Sequence, residues 1–304
     1  MTKHHHPMHR SRSAGVTLIE LAITIALVGI LAALIVNFVQ PVRSYIDSSR
    51  RAALADTADT ALRRIGRDLR LALPNSVRVD GTFKYVEFLL VRTGGRYRAD
   101  SDPAATGTCP TGAGATPAED VLGFAAADTC FKTLGNLYAV PSDISNVTTN
   151  DYVVVFNLQT GTDKADAYQA SCGVSCNKSQ ITAAVAGAGQ DRIEFASNTF
   201  VYESPGNRFF IIEGPVAYGC SGGTLTRYWG YAIPPTQNAP PVLGPGSSAI
   251  MATGVADCSF TYDSSVTAQG AGLVTMRLRL SMQDSRGDTE NVNLYHAVHV
   301  NNVP

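Results

Sequence analysis

The sequence predicts an α+β protein in which one long N-terminal helix precedes an antiparallel, β-rich globular domain. The first observation behind this prediction is a run of 22 residues without a formal charge, Leu21–Val42, which continues into an amphipathic pattern ending near Leu73. The second is that the rest of the chain alternates short segments rich in Val, Ile, Phe and Tyr with turn residues. That alternation is typical of antiparallel strands.

The uncharged run is long enough to cross a membrane as a helix. Its 22 residues span roughly 33 Å at about 1.5 Å per residue, against a hydrocarbon core of about 30 Å. Glu20 directly precedes the run, at a position where the flanking composition predicts another Leu or Ile. Because a carboxylate in or near the bilayer costs at least ~2.5 kcal/mol on insertion scales, Glu20 is a candidate functional residue that needs a partner.

Beyond Pro41 the helix pattern becomes amphipathic. Apolar residues between Leu54 and Leu73 recur at helical spacing, while Arg and Asp residues occupy the other faces. Pro74 and the two polar residues after it end the pattern. We interpret the Arg-rich face as a solvated helix surface.

The remaining chain is predicted to form strands joined by turns and three long loops. The last two strands form the clearest hairpin, because apolar and polar residues alternate before a turn at residues 284–288. The predicted strands are Thr82–Val91, Tyr152–Leu158, Arg192–Phe195, Thr199–Tyr202, Arg208–Ile212, Leu225–Ile233, Val274–Met282 and Glu290–Val300. The predicted loops are Ala99–Asp120, Gln159–Asp191 and Pro234–Asp257.

The segment Ala14–Leu21 (A-G-V-T-L-I-E-L) resembles the cleavage region of type IV prepilins and pseudopilins, commonly written G-F-T-L-I-E-L. The resemblance implies that a prepilin peptidase cuts between Gly15 and Val16 and methylates the new amine of Val16. It also implies that Glu20, the fifth residue of the mature chain, meets the N-terminal amine of a neighbouring subunit. Val16 departs from the family, in which Phe is usual at this position.

The resemblance divides the chain into three regions: a cytoplasmic leader over residues 1–15, a transmembrane and stem helix over 16–73, and a periplasmic β-rich domain over 74–304. Lys3, Arg10 and Arg12 precede the apolar run, so the positive-inside rule keeps the leader in the cytoplasm. A secretory signal peptide and a plain membrane anchor are the alternatives. A signal peptide is cut after its apolar segment rather than before it, and a plain anchor leaves Glu20 unexplained.

Several later segments are similar to the MshO-type minor pilins, which act in the biogenesis of MSHA (mannose-sensitive haemagglutinin) pili. This similarity implies a subunit of a type IV pilus, and the related minor pseudopilin J of type II secretion is the alternative. The similar segments are Arg63–Arg70, Ala72–Val79, Val201–Tyr202, Arg208–Phe210, Gly214–Tyr218, Leu225–Tyr228, Cys258–Tyr262 and Leu294–Pro304.

Composition restricts the class of protein further. A formal net charge of -1 and a pI near 6.6 leave no basic surplus for phosphates, so no nucleic-acid partner is expected. All six cysteines follow the apolar run, and an even number in an exported segment predicts disulfides. Pairing sequence neighbours gives Cys109–Cys130, Cys172–Cys176 and Cys220–Cys258.

No constellation of catalytic residues stands out in the sequence, so we expect neither catalysis nor a cofactor. The phosphate-binding P-loop and H-E-x-x-H are both missing. His296 and His299 lie three residues apart in a predicted strand, so they point to opposite faces and do not share a metal. Asp284, Asp288 and Glu290 are candidate calcium ligands, although a hairpin turn uses the same residue types.

Two classes of function therefore remain. The first is assembly: a minor subunit that initiates or caps a pilus or pseudopilus, inserted in the bacterial inner membrane, with a prepilin peptidase and other major and minor pilins as partners. The second is recognition at a fibre tip, through the long loops or through an aromatic cluster for which a β core is the simpler interpretation. The low charge of the loops favours assembly. The cluster consists of Tyr218, Tyr228, Trp229 and Tyr231.

Overall fold

The N-terminal helix is continuous over most of its predicted length. In the computed structural model, helix α1 spans Leu18–Arg70. The structure describes residues 15–100, 109, 121–137, 144–170, 173, 175–187, 189–267, 270–284 and 286–304. Thr17 caps the start of α1, because the Thr17 hydroxyl accepts a hydrogen bond from the backbone N–H of Glu20 (3.3 Å). After the helix, the N–H of Leu73 donates to the carbonyl of Leu89 (2.8 Å), which joins the chain directly to the first sheet.

The larger sheet contains nine strands in the described residues. Its main path runs β1-β2-β7-β4-β5-β6-β3, and β8 pairs with β7 beyond the end of β4, while β9 pairs with β8. A short 3-10 helix, Ile144–Asn146, precedes β4. The strands are β1 (Arg78–Val79), β2 (Tyr85–Arg96), β3 (Asp128–Lys132), β4 (Tyr152–Val155), β5 (Lys178–Val185), β6 (Arg192–Asn198), β7 (Arg208–Ser221), β8 (Thr224–Trp229) and β9 (Ser247–Thr253).

The smaller sheet is a three-stranded antiparallel sheet in the order β10-β11-β12, formed by Val255–Thr267, Ala271–Gln283 and Thr289–Asn301. The register of β11 with β12 is unbroken from Gln283↔Thr289 to Ala271↔Asn301, which confirms the predicted C-terminal hairpin. Alternate residues of β11 point inward, as the sequence pattern predicted. The inward residues Val274, Met276, Leu278 and Leu280 are all 1% exposed or less.

The second half of α1 packs across both sheets. Its buried face makes contact mainly with β12, and also with β9, β11 and β2. Burial of each Leu or Ile side chain contributes roughly 1.5–3 kcal/mol, so this face provides a large share of the helix's attachment. The residues of the buried face are Ala58, Ala61, Leu62, Ile65 and Leu69.

A second core lies at the far end of the larger sheet and does not include the helix. It is rich in aromatic rings: Phe131 packs edge-on against Phe209 with ring centroids 4.9 Å apart, and Phe195 packs against Phe200 at 5.5 Å. The helix is therefore attached to one part of the globular domain, and the distal part has its own apolar interior.

Three sequence predictions about β structure are wrong. Thr199–Tyr202 is not a strand, because its apolar character comes from Phe200, which is buried in irregular chain after β6. The predicted loop Gln159–Asp191 contains β5, and the predicted loop Pro234–Asp257 contains β9 and the start of β10. These strands are held by pairing with neighbours remote in sequence, which overrides their weak local preference for β structure.

Two of the three predicted disulfides are present. Cys109 bonds to Cys130, and Cys220 bonds to Cys258. The second bond joins β7 of the larger sheet to β10 of the smaller sheet, next to the core that holds α1. Cys172, the predicted partner of Cys176, lies outside the described residues, as does most of the predicted loop Ala99–Asp120.

Replacing both Cys220 and Cys258 by Ser is expected to lower the free energy of unfolding by about 2–4 kcal/mol, because the bond closes a long loop and also connects the sheets. The bond spans a sequence separation of 38, whereas Cys109–Cys130 spans 21. Urea unfolding of the full-length chain in detergent measures the loss. The Cys109/Cys130 double Ser variant is the matched control. Both variants are also digested with trypsin, and faster cleavage near Arg67 is expected only in the Cys220/Cys258 variant; equal cleavage would contradict a role in holding the stem.

Candidate membrane-anchoring and assembly helix

The first half of α1 has an apolar surface that the rest of the protein leaves uncovered. The window Leu18–Ile35 has a mean hydropathy of 2.7, and none of it is buried against the described chain. Leu18 is 87% exposed and Val28 is 64% exposed. An 18-residue helix spans roughly 27 Å, which is close to the thickness of the hydrocarbon core. This surface fits a bilayer, where apolar side chains lose no free energy by facing outward.

The predicted processing residues lie immediately before this helix. Gly15 and Val16 are exposed and lie outside any helix or strand, and a Cβ added at Gly15 meets no atom of the described residues within 4 Å. Exposed backbone outside regular structure is the form that a peptidase can reach.

Glu20 lies in the first turn of α1, and its side chain is exposed. It is the only carboxylate between Gly15 and Val42. A carboxylate near a helix N-terminus is favoured by the free N–H groups and the helix dipole, so this position lowers the local cost of the charge. The structure places Glu20 four residues from Val16, on a surface open to another molecule.

The second half of α1 is joined to the globular domain by a partly buried polar contact as well as by its apolar face. The hydroxyl of Tyr218 donates to the carboxylate of Asp68 (2.6 Å), and Arg227 Nε donates to the same carboxylate oxygen (3.0 Å). Burial raises the pKa of Tyr218, and the Asp68 charge raises it further, so Tyr218 stays a neutral donor. This contact ties the last turns of the helix to β7 and β8.

Close approach between helix and sheet depends on one glycine. A Cβ at Gly66 meets His296 Nε2 at 2.9 Å and Val298 Cγ2 at 3.2 Å, so a side chain there pushes α1 away from β12. Lower on the helix, Arg51 pairs with Glu290 at the start of β12. The docked part of α1 is thus held by contacts spread along β12.

The other candidate sites fit structural roles. His296 faces α1, whereas His299 is exposed on the opposite face of β12. Asp284 accepts hydrogen bonds from the backbone N–H groups of Arg286 and Asp288 (both 2.8 Å), and this shapes the hairpin turn. Glu290 forms an ion pair with Arg51. Among the described residues, no three His, Cys, Asp or Glu side chains group as a metal site.

The aromatic cluster does not form an open platform. Tyr218 is fully buried, and Tyr231 is 5% exposed, with its hydroxyl donating to the buried carboxylate of Glu87 (2.8 Å). Tyr228 and Trp229 are half-buried in β8. The cluster therefore contributes mainly to the core around the helix, as the simpler interpretation predicted.

Sequence reasoning missed the residues that fasten the helix to the domain. Asp68 received no role in the sequence analysis, and its partners lie 150 and 159 positions away along the chain. Gly66 sits among helix-forming residues with no turn signal nearby. The signals that could have identified these fastening residues were a glycine and an acidic residue on the apolar side of the helix pattern.

Comparison with known protein families places a recognised motif on this helix. The model of the prokaryotic N-terminal methylation motif matches residues 10–36, a stretch that includes Gly15, Val16 and Glu20. Comparison with curated proteins and with solved structures returned no significant match. The matched motif and the apolar helix indicate a membrane-anchoring N-terminal segment like that of type IV pilins.

Asp68→Asn is expected to lower the free energy of unfolding by about 1–3 kcal/mol, since it leaves the partly buried Arg227 without a counter-charge. Asp59→Asn is the matched control, because Asp59 is on the same helix and pairs only with the exposed Arg63. This control is expected to unfold like the parent chain. Urea unfolding of the full-length chain measures both, and equal losses would show that the Asp68 contact does not hold the stem.

Proposed function

We propose that this chain is a membrane-inserted pilin-like subunit that a prepilin peptidase cleaves between Gly15 and Val16 and N-methylates at Val16. The observation that carries the proposal is an uncovered apolar helix with one carboxylate in its first turn, continuous with a stem docked on a β domain. The match to the N-terminal methylation motif over residues 10–36 supports it. A plain anchor requires neither the motif nor the carboxylate.

The proposed chemistry of assembly is the pairing of two charges that are each costly in lipid. Cleavage creates a cationic amine on Val16, and methylation leaves that charge in place. A carboxylate or an amine alone in the bilayer is unfavourable, and contact between the Glu20 carboxylate and the Val16 amine of a neighbouring subunit relieves both costs. The same contact sets the relative height of two adjacent helices.

The finer proposal is a minor subunit that acts in the initiation or at the tip of an MSHA-type pilus. The segments that resemble MshO-type minor pilins support it, and a minor pseudopilin of type II secretion is the alternative. We place the β domain in the periplasm. The two disulfides support this placement, because such bonds persist in oxidising compartments. The inner membrane, the peptidase and other pilins are the proposed partners.

Recognition at a fibre tip is less well supported than assembly. Two of the three predicted loops contain strands, and the aromatic cluster is largely buried. These observations reduce the irregular, exposed surface on which a recognition function was predicted to depend.

The mature chain is expected to begin at N-methylated Val16. Gly15→Leu is expected to block this step, because the peptidase must accommodate a small side chain before the cut. Intact-protein mass spectrometry of the membrane fraction, with and without a co-expressed prepilin peptidase, measures both. Gly29→Leu is the matched control, since Gly29 also has no atom within 4 Å of an added Cβ. A parent chain that remains uncut, or that begins beyond Arg43, would overturn the proposed processing.

Glu20→Ala is expected to leave processing and membrane insertion intact while reducing incorporation into fibres at least tenfold. Removing the carboxylate favours insertion slightly, so a loss of incorporation points to the missing pair rather than to the anchor. Thr24→Ala is the control, because Thr24 is an exposed polar residue one turn further along α1. Quantitative immunoblotting of sheared fibres is the measurement. Equal incorporation of parent and Glu20→Ala chains would contradict the pairing.

A further inference from the structure

The larger sheet contains a notch where two strands end beside the same neighbour. Strand β7 pairs with β4 as far as Ile212 and with β8 from Val216 onward, so residues 213–215 lie between the ends of β4 and β8. The register with β2 also shifts at Glu213, which is the extra residue of a β-bulge. Bulges re-aim side chains and are common beside functional sites.

A cavity of about 670 Å³ opens at this notch. The volume is in the range of small-molecule sites, which combine apolar surface with a few polar groups. Two residues of its wall, Gly214 and Gly230, have positive φ angles (126° and 72°) and carry no side chain that fills the space. The polar side chains of the lining include Tyr152, Lys178 and Glu213.

Lys178 is held at the cavity by two backbone carbonyls. Its Nζ donates to the carbonyls of Ala167 and Gln169, the latter at 2.9 Å, and makes no other hydrogen bond within the described residues. Ala170, the next residue, lines the cavity. Two neutral acceptors match the two hydrogens of an uncharged amine, whereas the third hydrogen of an ammonium group has no acceptor there. These contacts therefore suit a neutral amine with a free lone pair.

The electrostatic surroundings of Lys178 also favour the neutral form. Burial lowers the pKa of Lys178 to about 8, and the charge of Asp166 opposes this shift. The other titratable groups of the cavity are Glu213, Tyr152 and Tyr231. About a tenth of the Lys178 amine is neutral at pH 7, against less than about one part in a thousand for an ordinary lysine with a pKa near 10.4. The neutral amine is the nucleophilic form.

A hydrogen-bond donor lines the same cavity. Tyr152 pairs with Gln180, two positions from Lys178 in β5, so Tyr152 and Lys178 are diagonal neighbours on one face of the sheet. Such neighbours are within reach of aromatic and long side chains. The Tyr152 hydroxyl makes no hydrogen bond within the part of the chain that the structure describes, so it is free to donate to a ligand oxygen.

A purely structural role for Lys178 is the competing explanation. The loop that Lys178 contacts is already fastened by other groups: the Tyr168 hydroxyl donates to the Ser76 carbonyl (3.0 Å), and the Ala167 N–H donates to Asn157 Oδ1 (2.8 Å). An amine whose charge is only partly compensated adds little to this attachment. Its position in the lining of a cavity needs a further reason.

We propose that Lys178 anchors a site for a small neutral aldehyde, which it binds as a reversible imine. The Nζ lone pair adds to the carbonyl carbon, and an N–H proton passes to the carbonyl oxygen. The C–O bond then breaks and water leaves, so that neither oxidant nor reductant is consumed. The Tyr152 hydroxyl donates to the carbonyl oxygen and favours the addition. One amine and one carboxylate are the charged groups of the lining, which favours a neutral ligand.

Competitive labelling of lysines tests the proposal. The full-length chain in detergent is treated with propanal and sodium cyanoborohydride, which traps imines as stable amines, and the labelled sites are quantified by peptide mapping. At pH 7, Lys178 is expected to react at least ten times faster than the other lysines beyond residue 15. These internal controls are Lys84, Lys132 and Lys164. Equal rates at all four sites would overturn the proposal.

The pH dependence is measured with trace amounts of acetic anhydride, which reacts with neutral amines. The rate at Lys178 is expected to rise up to about pH 8 and then level off, because the amine is then largely neutral. An ordinary lysine continues to gain reactivity beyond pH 10. A rate at Lys178 that still rises between pH 9 and 10 would contradict the proposed state of the amine.

Tyr152→Phe separates imine formation from general reactivity. This variant is expected to react with propanal at Lys178 about five times more slowly while its acetylation is unchanged, because only imine formation uses the proton donor. Tyr295→Phe is the matched control, since Tyr295 is 73% exposed on β12, outside the cavity lining. Equal losses in both reactions, or no loss with propanal, would overturn the role assigned to Tyr152.

Ala232→Trp tests whether the ligand occupies the cavity. Ala232 is an exposed residue of the lining, so an indole ring at this position fills space without replacing a buried side chain. Propanal labelling of Lys178 is expected to fall at least threefold, with labelling of Lys84 unchanged. An unchanged rate at Lys178 would reject the cavity as the site. These measurements do not depend on cleavage after Gly15, so their failure leaves the proposed function standing.

Discussion

The packing of one face of α1 onto two sheets is the contact on which the rest of the molecule depends. As a result, the apolar first half of the helix is uncovered, whereas the second half packs on the globular domain. Apolar burial supplies most of the attachment, and the Asp68–Tyr218–Arg227 contact together with the close approach at Gly66 fixes its geometry. Because the helix is continuous from Leu18 to Arg70, the position of the domain is tied to the position of the anchor.

This arrangement concentrates the functional surface on the helix face that the domain does not use. Apolar residues on the docked side are buried against the sheets. The opposite side of the helix is therefore open to contact with neighbouring molecules in the membrane and above it. Glu20 is exposed on the uncovered half of the helix. Exposed charges on the upper half, such as the Arg63–Asp59 pair, add little to the stability of the isolated chain.

The family motif and the globular domain carry different kinds of information. The methylation motif covers residues 10–36, the segment to which the proposed processing and helix association belong. The β domain has no significant match among the solved structures, and its particular role therefore rests on resemblance and on experiment. Its disulfides and its two sheets build a stable platform around the stem.

The sequence by itself determined the long helix, its membrane-fitting half, the position of Glu20, the C-terminal hairpin and two cysteine pairs. Each of these follows from a local pattern in the sequence: the hydropathy of consecutive residues, the alternation of apolar and polar residues along a strand, or the spacing of cysteines along the chain. Only the tertiary structure decided that Lys178–Val185 and Ser247–Thr253 are strands, that Thr199–Tyr202 is not, and that Asp68 is a fastening residue. Those outcomes depend on hydrogen-bond partners that are far away in sequence. A local sequence pattern does not specify which distant strand or side chain will be the partner.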